Sequence, residues 1–454
     1  METAELIKKY TVPVPRYTSY PTVPYWDVEN FKTKRWLEEV KIAFKKSNQK
    51  SGISLYIHLP YCESLCTYCG CNTRITKNHE VELPYIKALE IEWMMYEDLF
   101  NEKPQIKELH LGGGTPTFFS PENLKSLIKN ILSGCEIHPE AEFSFEAHPA
   151  NTSEAHLKVL YELGFKRLSL GIQDFDPQVQ QIINRLQTVE QVEKVTQQAR
   201  AIGYNSINYD LIYGLPLQTL VGLKNTIKEV IRLLPDRIAF YSYAHVPWIK
   251  PGQRMFTELD LPDADSKQLL YETGRNLLIE AGYEEIGMDH FALPTDSLYQ
   301  AQEEGKLHRN FMGYTHQYTQ LMIGLGVSSI SDSWTAFAQN VKKVEDYISL
   351  VDAGEFPVFK GHLLDEDDLM MRRHILHLMC KGETHWDRLD LLHHHFKRSL
   401  YRLREVEQDG LIKKTDHAVK VTPLGRRFLR NICAAFDDRL WKNLPEKQVF
   451  SMGS

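Results

Sequence analysis

Between residues 53 and 245, short runs of alternating apolar and polar residues are separated by longer amphipathic stretches. The runs read ISLYIHLP (53–60), IKELHLGG (106–113), AEFSFEAHP (141–149), RLSLGIQD (167–174), INYDLIYGLP (207–216) and RIAFYSYAH (237–245). Period-two alternation of apolar, β-branched and aromatic residues predicts strands. The stretches between them, such as LPYIKALEIEWMMYEDLF and LVGLKNTIKEVIRLL, predict helices, and Ser120 before Pro121 reads as an N-cap and first helical position. Strand–helix alternation implies parallel pairing through crossover helices. Six such units are too few to close an eightfold barrel, so the expected fold class is α/β, a partial (β/α)6 barrel.

The alternation also assigns faces. In the first strand Ile53, Leu55, Ile57 and Leu59 oppose Tyr56 and His58. In the third, Phe143, Phe145 and Ala147 oppose Ser144, Glu146 and His148; in the fourth, Leu168, Leu170 and Ile172 oppose Ser169, Gly171 and Gln173. In the fifth, Ile207, Tyr209 and Leu211 oppose Asn208 and Asp210. Apolar faces are expected against the helices and polar faces in the lumen. Barrel active sites lie at strand C-terminal ends, and the polar groups gather there. A cysteine loop follows the first strand, GGGTPT (112–117) the second, Glu146 ends the third, Gln173-Asp174 the fourth, Asp210 the fifth and His245 the sixth.

Beyond about residue 360 the pattern turns helical: LMMRRHILHLMC and LLHHHFKRSLYRLREVEQ precede a hairpin and another helix, a winged-helix-like shape. The expected organisation is an N-terminal arm (1–50), the partial barrel (51–295), a connecting segment (296–360) and a mostly helical, winged-helix-like C-terminal domain (361–454). His393, His394 and His395 are successive residues about 100° apart on a helix and cannot share one metal face.

Composition narrows the function classes. Hydrophobic content of 43%, charged content of 25% and a net charge of −7 are those of a globular enzyme and disfavour a nucleic-acid-binding chain, despite the basic KVTPLGRRFLR. No apolar run is long enough to cross a bilayer, and METAELIKKYTVPVPRYTSYPT has no apolar core of a targeting segment. A cytoplasmic protein acting as a monomer, without membrane or nucleic-acid partners, is expected.

The densest chemistry is in YCESLCTYCGC, where Cys62, Cys66, Cys69 and Cys71 fall within ten residues. A zinc site usually adds a ligand pair from a second segment, and no C-x-x-C or H-x3-H occurs elsewhere. Disulfides do not suit a chain expected in a reducing compartment. An iron–sulfur site is the natural reading, with zinc as its alternative. If Cys62, Cys66 and Cys69 each hold one iron of a [4Fe–4S] cluster, one iron stays open. Cys71, two residues from Cys69, then has another role. GGGTPT lacks the spacing of a dinucleotide or Walker loop. Glu146 and Asp210 read either as structural ion pairs, with Arg185 or Lys166, or as ligand-binding carboxylates.

The C-x3-C-x2-C triplet after the first strand of a β/α unit resembles the signature of the radical S-adenosylmethionine (SAM) superfamily. That resemblance implies an open iron that chelates the SAM amino and carboxyl groups, and reductive cleavage of SAM to a 5′-deoxyadenosyl radical. It implies that Gly113, Gly114 and Thr115 meet the SAM amino group, that Glu146, Asp210, Gln173 and Arg185 bind the rest of SAM, and that Tyr56 contacts it. PRYTSYPT (15–22), CGC (69–71), QDF (173–175), DLIYGLP (210–216), YAHVP (243–247), IGMDHFA (286–292) and LHRNFMGYT (307–315) narrow the likeness. Together they resemble the oxygen-independent coproporphyrinogen III oxidase family over almost the whole chain.

This implies oxidative decarboxylation of two propionates of coproporphyrinogen III to vinyl groups in heme biosynthesis, with an unidentified electron donor and acceptor. Ala244 falls among the implied cofactor contacts, and Phe311, Met312 and Ile330 near a second SAM, although Met312 stands where relatives carry Gln. A tetracarboxylate substrate calls for donors. Arg16, His290, His308 and Arg309 are the candidates, with Tyr17, Tyr20, Tyr241, Tyr243 and Phe311 as aromatic walls and Cys71 as a substrate-aligning or loop-shaping residue. A heme-trafficking relative without porphyrinogen turnover is the alternative, disfavoured by Cys71 and the PRYTSYPT arm. A nucleic-acid-modifying enzyme is weaker still.

Overall fold

The computed structural model describes residues 3–443, 445 and 449–452. All six expected strands form: β1 (Ile53–Leu59), β2 (Gln105–Gly113), β3 (Glu136–Ala147), β4 (Phe165–Gln173), β5 (Ser206–Tyr213) and β6 (Arg237–Ser242). Each pairs in parallel with the next. The helices between them include Glu82–Glu97, Pro121–Ser133 and Leu220–Leu233. Ser120 Oγ accepts the Asn123 N–H at 3.2 Å, the cap that its place before Pro121 predicts.

The sheet is wider than six strands. β7 (Glu284–Ile286) and β8 (His290–Ala292) add an antiparallel edge after β6. On the other side β9 (Met322–Leu325) pairs in parallel with β1 and is followed by antiparallel β10 (Ile330–Asp332), β11 (Ala336–Asn340) and β12 (Val358–Leu363). The order is β12-β11-β10-β9-β1-β2-β3-β4-β5-β6-β8-β7, so the sheet is open. The N-terminal arm covers one edge: Asp27 and Gly361 exchange backbone hydrogen bonds of 2.9 and 3.1 Å.

The faces follow the alternation. Leu55, Ile57, Phe145, Leu170, Tyr209 and Phe240 are fully buried among the crossover helices. The other face carries Tyr56, Glu146, Ser169, Asn208 and Asp210. His148 departs from this pattern. β3 ends at Ala147, and the His148 ring instead accepts the Ala150 N–H at 3.1 Å to cap the turn Pro149–Asn151. Proline at 149 stops the ladder, so the alternation cannot extend through His148.

A second core lies in the C-terminal region, where helices Glu366–Lys381 and His394–Gln408 pack with a three-stranded sheet of residues 383–385, 412–414 and 418–421. The PRYTSYPT arm packs inward. Tyr17 and Tyr20 are each 2% exposed and belong to this second core, with Leu6, Tyr10 and Val14. Burying that much aromatic area outweighs an exposed extended course. Arg430 fastens it, donating to the carbonyls of Val14 and Pro15. The neighbouring histidines pair with acids: His393 meets Asp367 at 2.8 Å, and His395 reaches both Asp367 and Asp438.

One side chain ties the strand that carries the site to its neighbours. Tyr85 Oη donates to the His58 carbonyl at 2.8 Å and accepts the Val327 N–H at 2.9 Å, joining the end of β1 to the turn after β9. Tyr85→Phe leaves two buried backbone groups without partners and is expected to cost about 2–3 kcal/mol, read as a lower urea midpoint with an unchanged slope.

Candidate active site

At the end of β1 the chain runs through Pro60 into the cysteine loop. This loop has no helix or long strand of its own and is held from both sides. Gly114 N–H donates to the Leu59 carbonyl at 2.8 Å and Thr115 N–H to the Tyr61 carbonyl at 3.0 Å. Opposite, Thr67 donates through its N–H to the Ile183 carbonyl and through Oγ1 to the Ile182 carbonyl, at 2.9 and 3.0 Å. Asn184 Nδ2 donates to the Leu65 carbonyl at 2.7 Å and Gln253 Nε2 to the Tyr68 carbonyl at 3.2 Å. The loop's shape is imposed by the strands and turns around it.

Cys62, Cys66 and Cys69 are all unpaired, half-buried thiols. Cys62 Sγ lies 3.3 Å from Thr115 Oγ1, and Arg185 Nη1 donates to Cys66 Sγ at 3.7 Å. The Cys71 N–H donates to Cys69 Sγ at 3.4 Å, while the Cys71 carbonyl accepts from Lys250 Nζ at 3.2 Å. Cys71 therefore orients Cys69. The Cys71 side chain and N–H hold the Cys69 thiol below its usual range, against burial that works to raise it. Three thiols on one loop, with Cys71 engaged in orienting Cys69, are a donor set that suits a cluster with one iron left open.

The glycines of GGGTPT have a structural need of their own. A Cβ on Gly114 would lie 2.6 Å from the Pro60 backbone, and one on Gly113 (φ +113°) would lie 2.7 Å from the His58 ring. Close packing of β2 onto β1 and its loop already demands glycine there.

Among the described residues, neither Glu146 nor Asp210 forms an ion pair with an arginine or lysine. Glu146 accepts the Gly113 N–H at 3.2 Å and faces His110 at 3.6 Å. Burial works to raise Glu146, but His110 and the Gly113 N–H outweigh it and hold the carboxyl below its ordinary range. Asp210 accepts from Ser169 Oγ (3.1 Å) and Asn208 Nδ2 (2.9 Å). Burial, with Glu146 adding, pushes it up to about 6. Lys166 is engaged elsewhere, over the Tyr161 ring.

Arg185 is buried beside the cysteines. It donates to the Gly171 carbonyl as well as to Cys66, while its Nε has no partner among the described residues. A Cβ on Gly171 would lie 2.6 Å from Arg185 Nη2 and 2.8 Å from Gln173 Nε2, so this glycine makes room for both. Gln173 itself takes φ +67°, which turns it at the rim. Tyr56 Oη meets His58 Nδ1 at 3.1 Å and its ring stacks on His110. A buried guanidinium with an orphan donor beside three free thiols is the chemistry that a cluster and a carboxylate-bearing cofactor require.

The remaining candidates scatter. Arg16 pairs with Asp289 and lies over the Tyr241 ring, 5.4 Å from its centroid. Arg309 is 4% exposed; its Nη2 donates to the Arg16 carbonyl, and Nε and Nη1 have no partner among the described residues. His290 Nδ1 donates to the Met288 carbonyl at 2.8 Å, leaving Nε2 to accept from Tyr241 Oη at 3.3 Å. Burial pushes His290 down to about 4 and His308 down to about 3, so both are neutral near pH 7 and only the arginines bring charge. Tyr17 and Tyr20 are committed to the second core, and Tyr243 packs on Phe256 away from the lumen. Phe311 meets Trp26 and Phe337 edge-on. Met312 lines a small lumen cavity of about 60 Å³ with Glu108, His110 and Asn310. The Ala244 carbonyl accepts from Gln253, and Ile330 backs closely onto Gly324.

His110 was not singled out in the sequence, although it holds Glu146 and stacks on Tyr56. Alternation along the second strand, where Glu108, His110 and Gly112 oppose Leu109 and Leu111, carries that signal.

An open parallel half-barrel with a three-cysteine rim loop defines a radical SAM protein, and residues 56–230 match the family model described as Radical SAM superfamily. Among curated proteins, the chain is 38% identical to the oxygen-independent coproporphyrinogen III oxidase of Synechocystis sp. over 99% of this chain and 97% of the relative. It is 38% identical to the protein of that name from Escherichia coli, over 96% of this chain and 95% of the relative. A solved Escherichia coli coproporphyrinogen III oxidase, described as a radical SAM enzyme, superposes with a TM-score of 0.89 at 37% identity, covering 96% of this chain and 99% of that one. The chain belongs to the oxygen-independent coproporphyrinogen III oxidase family.

Asp210 supplies a pH test. Its folded pKa lies above the unfolded value, so the carboxylate weighs against the fold above about pH 6, and the penalty fades as pH falls toward 4. Asp210→Asn is expected to stabilise the cofactor-free protein by roughly 1–2 kcal/mol at pH 8 and by nearly nothing at pH 4, read from urea midpoints across that range.

Proposed function

We propose that this protein converts coproporphyrinogen III to protoporphyrinogen IX by oxidative decarboxylation of two propionate side chains, as a radical SAM enzyme carrying a [4Fe–4S] cluster. The observation that carries this reading is near-full-length similarity to proteins of that name, together with an intact C-x3-C-x2-C loop at the rim of the half-barrel. When bound, the cluster and SAM together supply a carbon radical able to take a hydrogen atom from a propionate β-carbon.

The chain's own residues bind and orient. Cys62, Cys66 and Cys69 would hold three irons and leave the fourth open. Arg185, whose Nε has no hydrogen-bond partner among the described residues, would face the carboxylate of SAM. Gly113, Gly114 and Thr115 would border its amino group, and Glu146, Gln173 and Asp210, with Tyr56, would hold the remainder. Glu146 is held charged, and Asp210, pushed up to about 6, is mostly a carboxylate near neutral pH, so both would act chiefly as hydrogen-bond acceptors. Arg309 has two free donor nitrogens in a buried place, the arrangement that a propionate carboxylate satisfies, and Arg16 stands next to it. Ala244, Phe311, Met312 and Ile330 border a second cofactor or substrate region, with the neutral His290 and His308 as hydrogen-bonding partners. Cys71 shapes the loop by orienting Cys69.

The reading includes a cytoplasmic monomer served by an unidentified electron donor and acceptor, consistent with seven free cysteines. No described helix is long and apolar enough to cross a membrane.

Anaerobic reconstitution with iron and sulfide, followed by reductant, SAM and coproporphyrinogen III, is expected to give 5′-deoxyadenosine and protoporphyrinogen IX; heme binding without either product would overturn the assignment. Cys66→Ala is expected to lose most of the iron. Cys71→Ser is expected to keep its iron and its broad visible absorbance while turnover falls at least tenfold, measured by iron content alongside product formation.

A further inference from the structure

A cavity of about 1190 Å³ lies between helix Ala264–Glu280, the N-terminal segment and the C-terminal domain. It is not the lumen. Its wall includes Tyr213 and Ser242, which share strand parity with Leu211 and Phe240 and so face away from Asp210 and Tyr241. None of Cys62, Cys66, Cys69, Glu146 or Asp210 borders it.

Three cations converge there. Arg16 is paired with Asp289. Lys267 Nζ donates to the Tyr243 carbonyl at 2.7 Å and has no carboxylate partner among the described residues. Arg430 donates to the carbonyls of Val14, Pro15, Ser451 and Met452. Carbonyls accept hydrogen bonds but do not cancel charge, so three positive groups face one carboxylate. Burial, reinforced by Arg16 and Arg430, pushes the Lys267 ammonium down to about 8. Of the other acids, Glu272 is engaged by Arg427 and Glu285 by Arg275, while Glu5 and Asp265 stand on the exposed rim. The Lys267 stem packs on Gly214, where a Cβ would lie 2.7 Å from it, so the ammonium is aimed rather than free to swing out. Tyr213, Tyr271, Leu269 and Leu429 supply apolar wall.

An uncompensated excess of two positive charges around a space of this size is costly unless a counter-anion fills it. We propose that the cavity is a binding site for an organic dianion, an apolar body carrying two carboxylates, held by Lys267, Arg16 and Arg430. The choice of probe rests on the proposed function: a dicarboxylic tetrapyrrole has this chemistry, and so, without the apolar body, does a small polycarboxylate.

The test titrates the reconstituted enzyme with protoporphyrin IX, followed by fluorescence, with citrate and inorganic phosphate as competitors. With reductant omitted and coproporphyrinogen III saturating the lumen, wild type is expected to bind one porphyrin that is displaced only by much higher citrate or phosphate. Lys267→Met is expected to weaken porphyrin binding at least tenfold, and Lys267→Arg to keep it within about threefold, with both variants forming 5′-deoxyadenosine from SAM and coproporphyrinogen III as wild type does. Absence of porphyrin binding, porphyrin binding indifferent to Lys267→Met, or citrate binding as tightly as the porphyrin would overturn the proposal. Failure of wild type to form 5′-deoxyadenosine would instead strike the proposed function, whatever the porphyrin does.

Discussion

The cysteine loop borrows its geometry. It is joined to Leu59 and Tyr61 by the backbone of the glycine segment, and to the turn at 182–184 by Thr67 and Asn184. These are short bonds between groups with few alternatives, and they fix where three sulfurs stand before any iron arrives. The glycines, the positive φ of Gln173 and the buried Arg185 all follow from fitting that loop between β1, β2 and β4. A cofactor site assembled this way is preorganised: the scaffold, not the ligand, carries the conformational cost.

The lumen shows how neighbouring carboxylates acquire different characters. Glu146 gains a backbone N–H and an imidazole, whereas Asp210 gains only a hydroxyl and an amide and also feels the charge of Glu146. Desolvation acts on both. The partners decide the outcome: His110 and Gly113 reach Glu146 from β2, while Asp210 has Ser169 from β4 and Asn208 from its own strand. The same logic makes His290 and His308 neutral and leaves Arg309 as a charged group beside His290.

Much of this was legible in the chain. Strict alternation located β1 to β6 and turned Glu146 and Asp210 inward, because a strand's period leaves no other choice. It overreached at His148, where Pro149 ends the ladder, and it did not mark β7 to β12, whose runs are three to six residues long. PRYTSYPT could not be placed from local pattern, because its burial depends on residues some 400 positions away. Partners are likewise invisible in a linear string: that Glu146 takes His110 rather than Arg185, and that Cys71 serves Cys69, depends on strand register and loop fold.

The clamp between the chain's two ends has a temporal side. Leu6, Tyr10, Tyr17 and Tyr20 pack on Leu403, Phe428 and Ile432, and Arg430 grips the carbonyls of residues 14 and 15. During synthesis the arm can meet Asp289, Arg309 and Gly361 as they appear, but its tyrosines gain Leu403, Phe428 and Ile432 only after residue 432 has been made. The half-barrel, with its final strand closing at Leu363, is complete well before then. A nascent chain in that interval carries a complete cysteine loop beneath a tyrosine-rich arm that Arg430 has not yet gripped.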